Sequence, residues 1–84
     1  RVTCNDVEIK LTKQEFDLIT FLLKNIGDTV SKNELLEEVW EILYPTEEDS
    51  NKVEVYIGYL RKKLKPFNLH QYINTVRGFG YRWN

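Results

Sequence analysis

The chain has no methionine, one cysteine, one histidine and two prolines among 84 residues. Cys4 alone permits no internal disulfide, and with only His70 beside it there is no zinc-ligand cluster, which fits a reducing cytoplasm. A single histidine also removes most His-based catalytic constellations. No apolar run approaches the roughly 18 residues of a membrane span, and nothing resembles a signal peptide. No membrane association is expected. Without methionine and starting at Arg1, the chain reads as a domain excised from a longer protein. What is present is ordinary for a soluble domain: 42% apolar, 13% aromatic and 30% charged. A chain this short buries only about 60–65% of its unfolded surface, so its core must be compact and its helices well capped.

The net charge of −1 hides a division. Residues 1–50 carry five Lys/Arg against twelve Asp/Glu, a net of −7, whereas residues 51–84 carry seven Lys/Arg against Glu54 alone, a net of +6. Such asymmetry points to an anion-binding surface built by the C-terminal part. Two solvated faces of opposite sign are the plainer reading.

Alternation of Val2, Cys4, Val7, Ile9 and Leu11 around Asn5-Asp6 predicts a short β-hairpin, with Cys4 a small buried strand residue. Thr12-Lys-Gln-Glu15 is a capping box opening a helix through Leu18, Ile19, Leu22 and Leu23, with Gly27 as its left-handed C-cap. Ser31-Lys-Asn-Glu34 opens a second helix that runs through Trp40 and Leu43 to a stop at Pro45, with Trp40 in the core beside Leu36 and Leu43. Residues 44–50 read as a polar acidic loop. A third helix is expected from about Asn51 to Lys65, capped by Ser50 or Asn51 and ended by Pro66. His70 falls in the following loop. Tyr72–Arg77, a Gly78-Phe79-Gly80 tip and Tyr81–Trp83 close the chain as a second hairpin. The expected order is ββ-α-α-α-ββ, an α+β fold.

The third helix carries the functional signal. With Ile57 at the centre of the buried face, Val53, Leu60 and Leu64 fall within about 60° of it at 100° per residue. The opposite face then presents Lys52, Val55, Tyr59 and Lys62, flanked by Asn51, Tyr56, Gly58 and Lys63. On a nucleic acid such a face would set its lysines against phosphates and Val55 and Tyr59 against base edges or sugars. In the final hairpin Thr75, Arg77 and Arg82 lie near a glycine-flanked tip narrow enough to enter a groove. A basic helix beside a basic hairpin makes a two-point grip on a duplex. The competing readings are a solvated amphipathic helix and a hairpin whose glycines serve only the turn.

Four spaced segments now carry a resemblance: Leu11-Thr-Lys-Gln-Glu15-Phe-Asp-Leu, then Leu35-Leu36…Val39-Trp40, then Val53-Glu-Val-Tyr-Ile57…Leu60-Arg-Lys-Lys-Leu64, and Thr75-Val-Arg-Gly-Phe-Gly-Tyr81-Arg82. In this order the chain resembles the OmpR/PhoB-type winged-helix effector domain of bacterial two-component response regulators. The resemblance implies a winged helix-turn-helix spanning residues 1–84, with a four-stranded N-terminal sheet of which only a hairpin is present, consistent with truncation. It implies double-stranded DNA as partner, with the third helix (about 51–65) in the major groove and the hairpin (about 72–83) as a wing in the minor groove. Thr75 and Arg77 sit where family members touch the backbone and minor groove, and Arg61 at the usual phosphate-contacting arginine. Asn51, Gly58 and Tyr59 stand where many members are basic, and Glu41 replaces a glycine common after the tryptophan. Base contacts are therefore not carried over at Asn51, Gly58 and Tyr59. The outward face of the helix and the resemblance together give the expected DNA-binding residues as Asn51, Lys52, Val55, Tyr56, Tyr59, Arg61, Lys62, Lys63, Thr75 and Arg77.

From Glu34 to Asp49 there are seven acids and no basic residue. By resemblance, Glu47, Glu48 and Asp49 belong to a loop that contacts RNA polymerase, while a solvated loop is the plainer reading. The resemblance further implies a receiver domain and its cognate sensor kinase outside this chain, self-association on tandem half-sites in the full-length protein, a cytoplasmic location and no cofactor. Arg77-Gly-Phe-Gly-Tyr81 overlaps an RNA-recognition signature, but Arg82 breaks it and the strands for an RNA platform are missing. An enzyme is disfavoured, because no nucleophile–base pair or metal-ligand spacing occurs. A winged helix that binds only protein stays open as the alternative.

Overall fold

Each of the three helices starts on a threonine or serine that exchanges hydrogen bonds with an acid three residues on, satisfying backbone donors that would otherwise lack partners. Thr12 and Glu15 do so for α1 (Lys13–Lys24), Ser31 and Glu34 for α2 (Lys32–Trp40), and Thr46 and Asp49 for α3 (Glu47–Leu64). The computed structural model describes residues 2–4 and 7–84, with side chains from Val7 onward. Strands β1 (Val2–Cys4) and β2 (Val7–Ile9) pair antiparallel ahead of α1. The expected Asn5-Asp6 turn and the expected burial of Cys4 lie outside the described residues. Strand β3 (Val30–Ser31) precedes α2, and β4 (Ile73–Val76) and β5 (Gly80–Trp83) form the closing hairpin. Two single turns of 3-10 helix, Lys65–Phe67 and His70–Tyr72, bridge α3 to β4, so His70 lies in a short helical turn rather than an open loop.

The architecture is the expected winged helix-turn-helix, with four local differences. First, α2 ends at Trp40, well before Pro45. Glu41 adopts a left-handed backbone (φ 58°), and the Glu41 and Ile42 N–H groups return to Glu37 and Leu36 carbonyls in a Schellman-type stop. Leu43 is therefore outside the helix and exposed, and Trp40 is half-buried at the core's margin. Second, α3 begins at Glu47, four residues before the expected start, so Glu47, Glu48 and Asp49 form its first turn rather than a loop. Three acids fit there because the helix N-terminus carries partial positive charge. Third, α1 ends at Lys24 with Asn25 as its cap, and Gly27 (φ 87°) is left-handed two residues later. The Gly27 N–H donates to the Trp83 carbonyl at 2.9 Å, tying the end of α1 to the end of β5. Fourth, β3 adds a third strand, giving the order β3-β5-β4. Its register sets Ser31 opposite Gly80, where a Cβ would lie 1.9 Å from the Val30 carbonyl oxygen. Only glycine lets β5 come that close.

Leu18 and Leu22 of α1, Leu35 and Leu36 of α2, and Val53, Ile57, Leu60 and Leu64 of α3 are fully buried, and Ile73 and Tyr81 close the core from the hairpin. Burial of each large aliphatic contributes roughly 1.5–3 kcal/mol. The four on α3 also set its rotation, and hence the face it turns outward.

Glu41 has a side chain where the backbone favours glycine. Left-handed geometry costs an L-residue roughly 1–2 kcal/mol, so Glu41→Gly is expected to raise stability by about 1 kcal/mol despite its greater unfolded-state freedom. Urea unfolding measures this; an unchanged or lower midpoint would mean that the Glu41 side chain offsets its backbone strain.

Candidate nucleic-acid interface

With the apolar stripe of α3 inward, the outward face carries Asn51, Val55, Tyr59 and Lys62, all exposed, with half-buried Lys52 beside them. Val55 is 47% and Tyr59 50% accessible, which is substantial for large side chains in the middle of a helix. They stand four residues apart, hence adjacent on one face. Added bulk at Gly58 would meet no neighbouring atom, so the low surface beside Tyr59 is open.

The structure separates three predicted residues from this face. Tyr56 is half-buried and packs edge-on against Trp40 at a 5.2 Å centroid distance and against Tyr59 at 5.5 Å. It is the middle of an aromatic row from the end of α2 to the outward face, and it holds the Tyr59 ring in place. Lys63 turns toward α1, where its Nζ lies 2.6 Å from Oε1 of buried Glu15. Burial pushes the Glu15 carboxyl up, but Lys63 and the Thr12 N–H more than compensate and hold it below its ordinary value. Arg61 points to the hairpin: its Nη2 donates to the Ile73 carbonyl and to Thr75 Oγ1, each at 2.9 Å, with the guanidinium 6.0 Å above the Tyr81 ring.

The hairpin turns through Val76–Phe79, with the Phe79 N–H donating to the Val76 carbonyl at 2.9 Å and Gly78 at φ 80°, where a type II turn requires glycine. Arg77 is exposed at this turn, and Phe79 is 73% accessible. Between the turn and the N-terminal half of α3 lies an open cleft of about 480 Å³, lined by Lys32, Ser50, Glu54, Thr75, Arg77 and Phe79 among others. Thr75 and Arg77 thus share one cleft with α3. Lys32 spans to Glu54 at 2.9 Å and neutralises the acid on this side of the helix.

Sequence reasoning missed Lys32, Ser50 and Phe79 as cleft residues, because their position depends on how α2, α3 and the hairpin converge. It also missed the character of the α2–α3 connection. Residues 41–46 expose Leu43 (64%) and Tyr44 (90%), an apolar element beside exposed Glu47 and Glu48. Asp49 is half-buried and holds the Thr46 N–H at 2.8 Å, so its carboxylate serves the helix cap.

Residues 6–83 match the family described as transcriptional regulatory protein, C terminal. The response regulator ArlR of Staphylococcus epidermidis is 46% identical over 81 residues, which cover 96% of this chain and 36% of ArlR. The chain therefore spans about a third of the length of such relatives. Among solved structures, the C-terminal domain of the nisin resistance regulator NsrR superimposes with a TM-score of 0.78 at 36% identity, covering 96% of this chain and 80% of that one. The DNA-binding domain of Klebsiella pneumoniae RstA, in complex with the RstA box, gives 0.77 at 28% identity, covering 93% and 76%. Matching sequence segments and a shared arrangement of three helices and hairpin lead to one assignment: the chain belongs to the C-terminal transcriptional regulatory family, the winged-helix DNA-binding domains of OmpR/PhoB-type response regulators.

Proposed function

We propose that this domain reads duplex DNA with Asn51, Lys52, Val55, Tyr59 and Lys62 of α3 in the major groove, while Thr75 and Arg77 hold the backbone and minor groove from the wing. The observation carrying this reading is the outward pair Val55 and Tyr59, half-exposed beside the lysines of the same helix face. That the similar RstA domain was solved in complex with the RstA box supports DNA as the partner. Arg61, Tyr56 and Lys63 act behind this face, through the contacts that occupy them. The outward face has no arginine, so the bidentate contact to guanine is missing and apolar contact with thymine methyls takes its place. Such readout is modest per copy, which suits a full-length regulator that pairs two copies on tandem half-sites after a sensor kinase has phosphorylated its receiver domain. Cytoplasmic DNA is the target, and no helix among the described residues is long and apolar enough to cross a membrane.

A second surface has its own observation. Exposed Leu43 and Tyr44 stand beside exposed Glu47 and Glu48 in the chain, an apolar pair with an acidic flank that suits a protein partner. We assign it to RNA polymerase, with Asp49 supporting the patch through the Thr46 cap.

Three outcomes test these assignments. Lys52, Lys62 and Arg77 are the exposed or half-exposed cations of the grip with no acidic partner among the described residues, and at about −0.9 per phosphate the log–log salt slope should be roughly −3 per copy. A slope near zero would remove the DNA reading and leave the protein-only alternative. In the same titration Tyr59→Ala should cost about 1–3 kcal/mol on a selected site and little on random duplex; equal losses on both would show that Tyr59 only steadies the fold. Reversing Glu47 and Glu48 to lysine in the full-length protein should impair transcription from an activated promoter with DNA affinity nearly unchanged, whereas unimpaired transcription there would refute the polymerase contact.

A further inference from the structure

We infer that Arg61 acts on DNA through Thr75: it is a positioning residue that orients and polarises the Thr75 hydroxyl as a donor to a backbone phosphate, rather than a phosphate ligand itself. The inference rests on the proposed contact between Thr75 and the backbone and explains how that contact is made.

The register of the hairpin supplies the first reason. Asn84 donates to the Tyr72 carbonyl at 2.9 Å, and Ile73 stands opposite Trp83 in the ladder. In an antiparallel pair, bonded residues alternate with non-bonded ones, so the backbone groups of Ile73 and Thr75 face away from β5. β4 is the outer strand of the sheet, and its free edge lies toward α3. One nitrogen of Arg61 occupies that edge by donating to both the Ile73 carbonyl and Thr75 Oγ1 at 2.9 Å. The Tyr81 ring beneath the guanidinium helps hold it there. Arg61 is half-buried by this arrangement and joins α3 to the wing.

Hydroxyl chemistry supplies the second. A threonine hydroxyl has one donor proton and two acceptor lone pairs. With one lone pair taken by a guanidinium, the proton is directed elsewhere, and hydrogen bonds in a chain strengthen one another. Among the described residues Thr75 Oγ1 has no acceptor for its proton, and Thr75 is exposed on the cleft that Arg77 and Ser50 also line. A phosphate oxygen is acceptor-only and anionic, which is the complement such a donor requires. The guanidinium behind Thr75 thus contributes through the hydroxyl, at one remove from the DNA.

A double-mutant cycle on a selected DNA site decides the matter, using Arg61→Gln, Thr75→Val and the double variant. Thr75→Val keeps the shape of the side chain and removes the hydroxyl. It should weaken binding about tenfold, the scale of one charge-assisted hydrogen bond. Arg61→Gln should weaken binding by a similar factor, and the double variant should bind no worse than about twofold below either single one. Arg61→Lys, which keeps the charge without the planar fork, should behave like Arg61→Gln. Amide exchange across β4 and β5 in each variant shows whether the hairpin remains formed. Losses that multiply in the double variant, or full binding by Arg61→Lys, would overturn the relay and make Arg61 a direct phosphate ligand. Binding lost only together with hairpin protection would overturn it in favour of a purely structural role. Full affinity in Thr75→Val would instead refute the backbone contact on which the relay depends.

Discussion

Everything on the DNA-facing side depends on how α3 is rotated, and the rotation is set by the buried stripe Val53, Ile57, Leu60 and Leu64. α3 packs against α1, α2 and the two 3-10 turns that lead into the wing, and its four buried side chains share one core with Ile73 and Tyr81 of the hairpin. Turning α3 by a single residue position would move the stripe by 100° and expose at least two of the four. At roughly 1.5–3 kcal/mol for each buried side chain, that penalty is comparable with a small domain's whole stability. The outward position of Val55 and Tyr59 is therefore a consequence of core packing. Polar contacts on the two flanks refine it: Lys63 to Glu15 on one side, and Arg61 to Ile73 and Thr75 on the other.

Those flanking contacts also mark where sequence reading stopped. The stripe of α3, the capping boxes at Thr12 and Ser31, and the glycine-marked wing are local signals with a fixed period or spacing, and all correspond to elements of the fold. The outward side of α3 followed from the same period. Which cations on it are free did not, because a lysine's partner lies wherever the fold brings an acid: Glu15 is 48 residues before Lys63. Arg61 is a similar case, since its acceptors lie on a strand 12 and 14 residues later. Lys63 stands among the expected DNA-binding residues as a flank of the outward face and Arg61 by the family resemblance, and neither signal shows the partner that the fold supplies.

Two element boundaries were obscured for another reason. Pro45 is a strong helix stop and drew the end of α2 toward itself, but the chain had already left the helix at Glu41 in a conformation usually taken by glycine. Past Pro45, three consecutive acids looked like a solvated loop. Thr46 with Asp49 is nonetheless a capping box with a shorter acid than the Glu/Gln form, and it starts α3 directly after the proline. β3 was missed because two residues cannot display alternation, and Ser31 was already accounted for as a cap.

The division of charge along the chain can now be placed physically. Its boundary falls inside α3, which opens with Glu47, Glu48 and Asp49 and ends with Arg61, Lys62 and Lys63. Acids at the N-terminus and cations at the C-terminus both favour the helix dipole, by about 0.3–1 kcal/mol each when exposed. The same gradient restricts how the helix can lie on a polyanion. A first turn bearing three acids repels phosphate, so the proposed reading surface starts one turn in, at Asn51 and Lys52, and extends toward Lys62. Exposed Leu43 and Tyr44 precede that turn in the chain, in the segment that the proposed function gives to a protein partner. A charge pattern that stabilises an 18-residue helix thereby also confines the proposed DNA-reading surface to the part beyond its first turn.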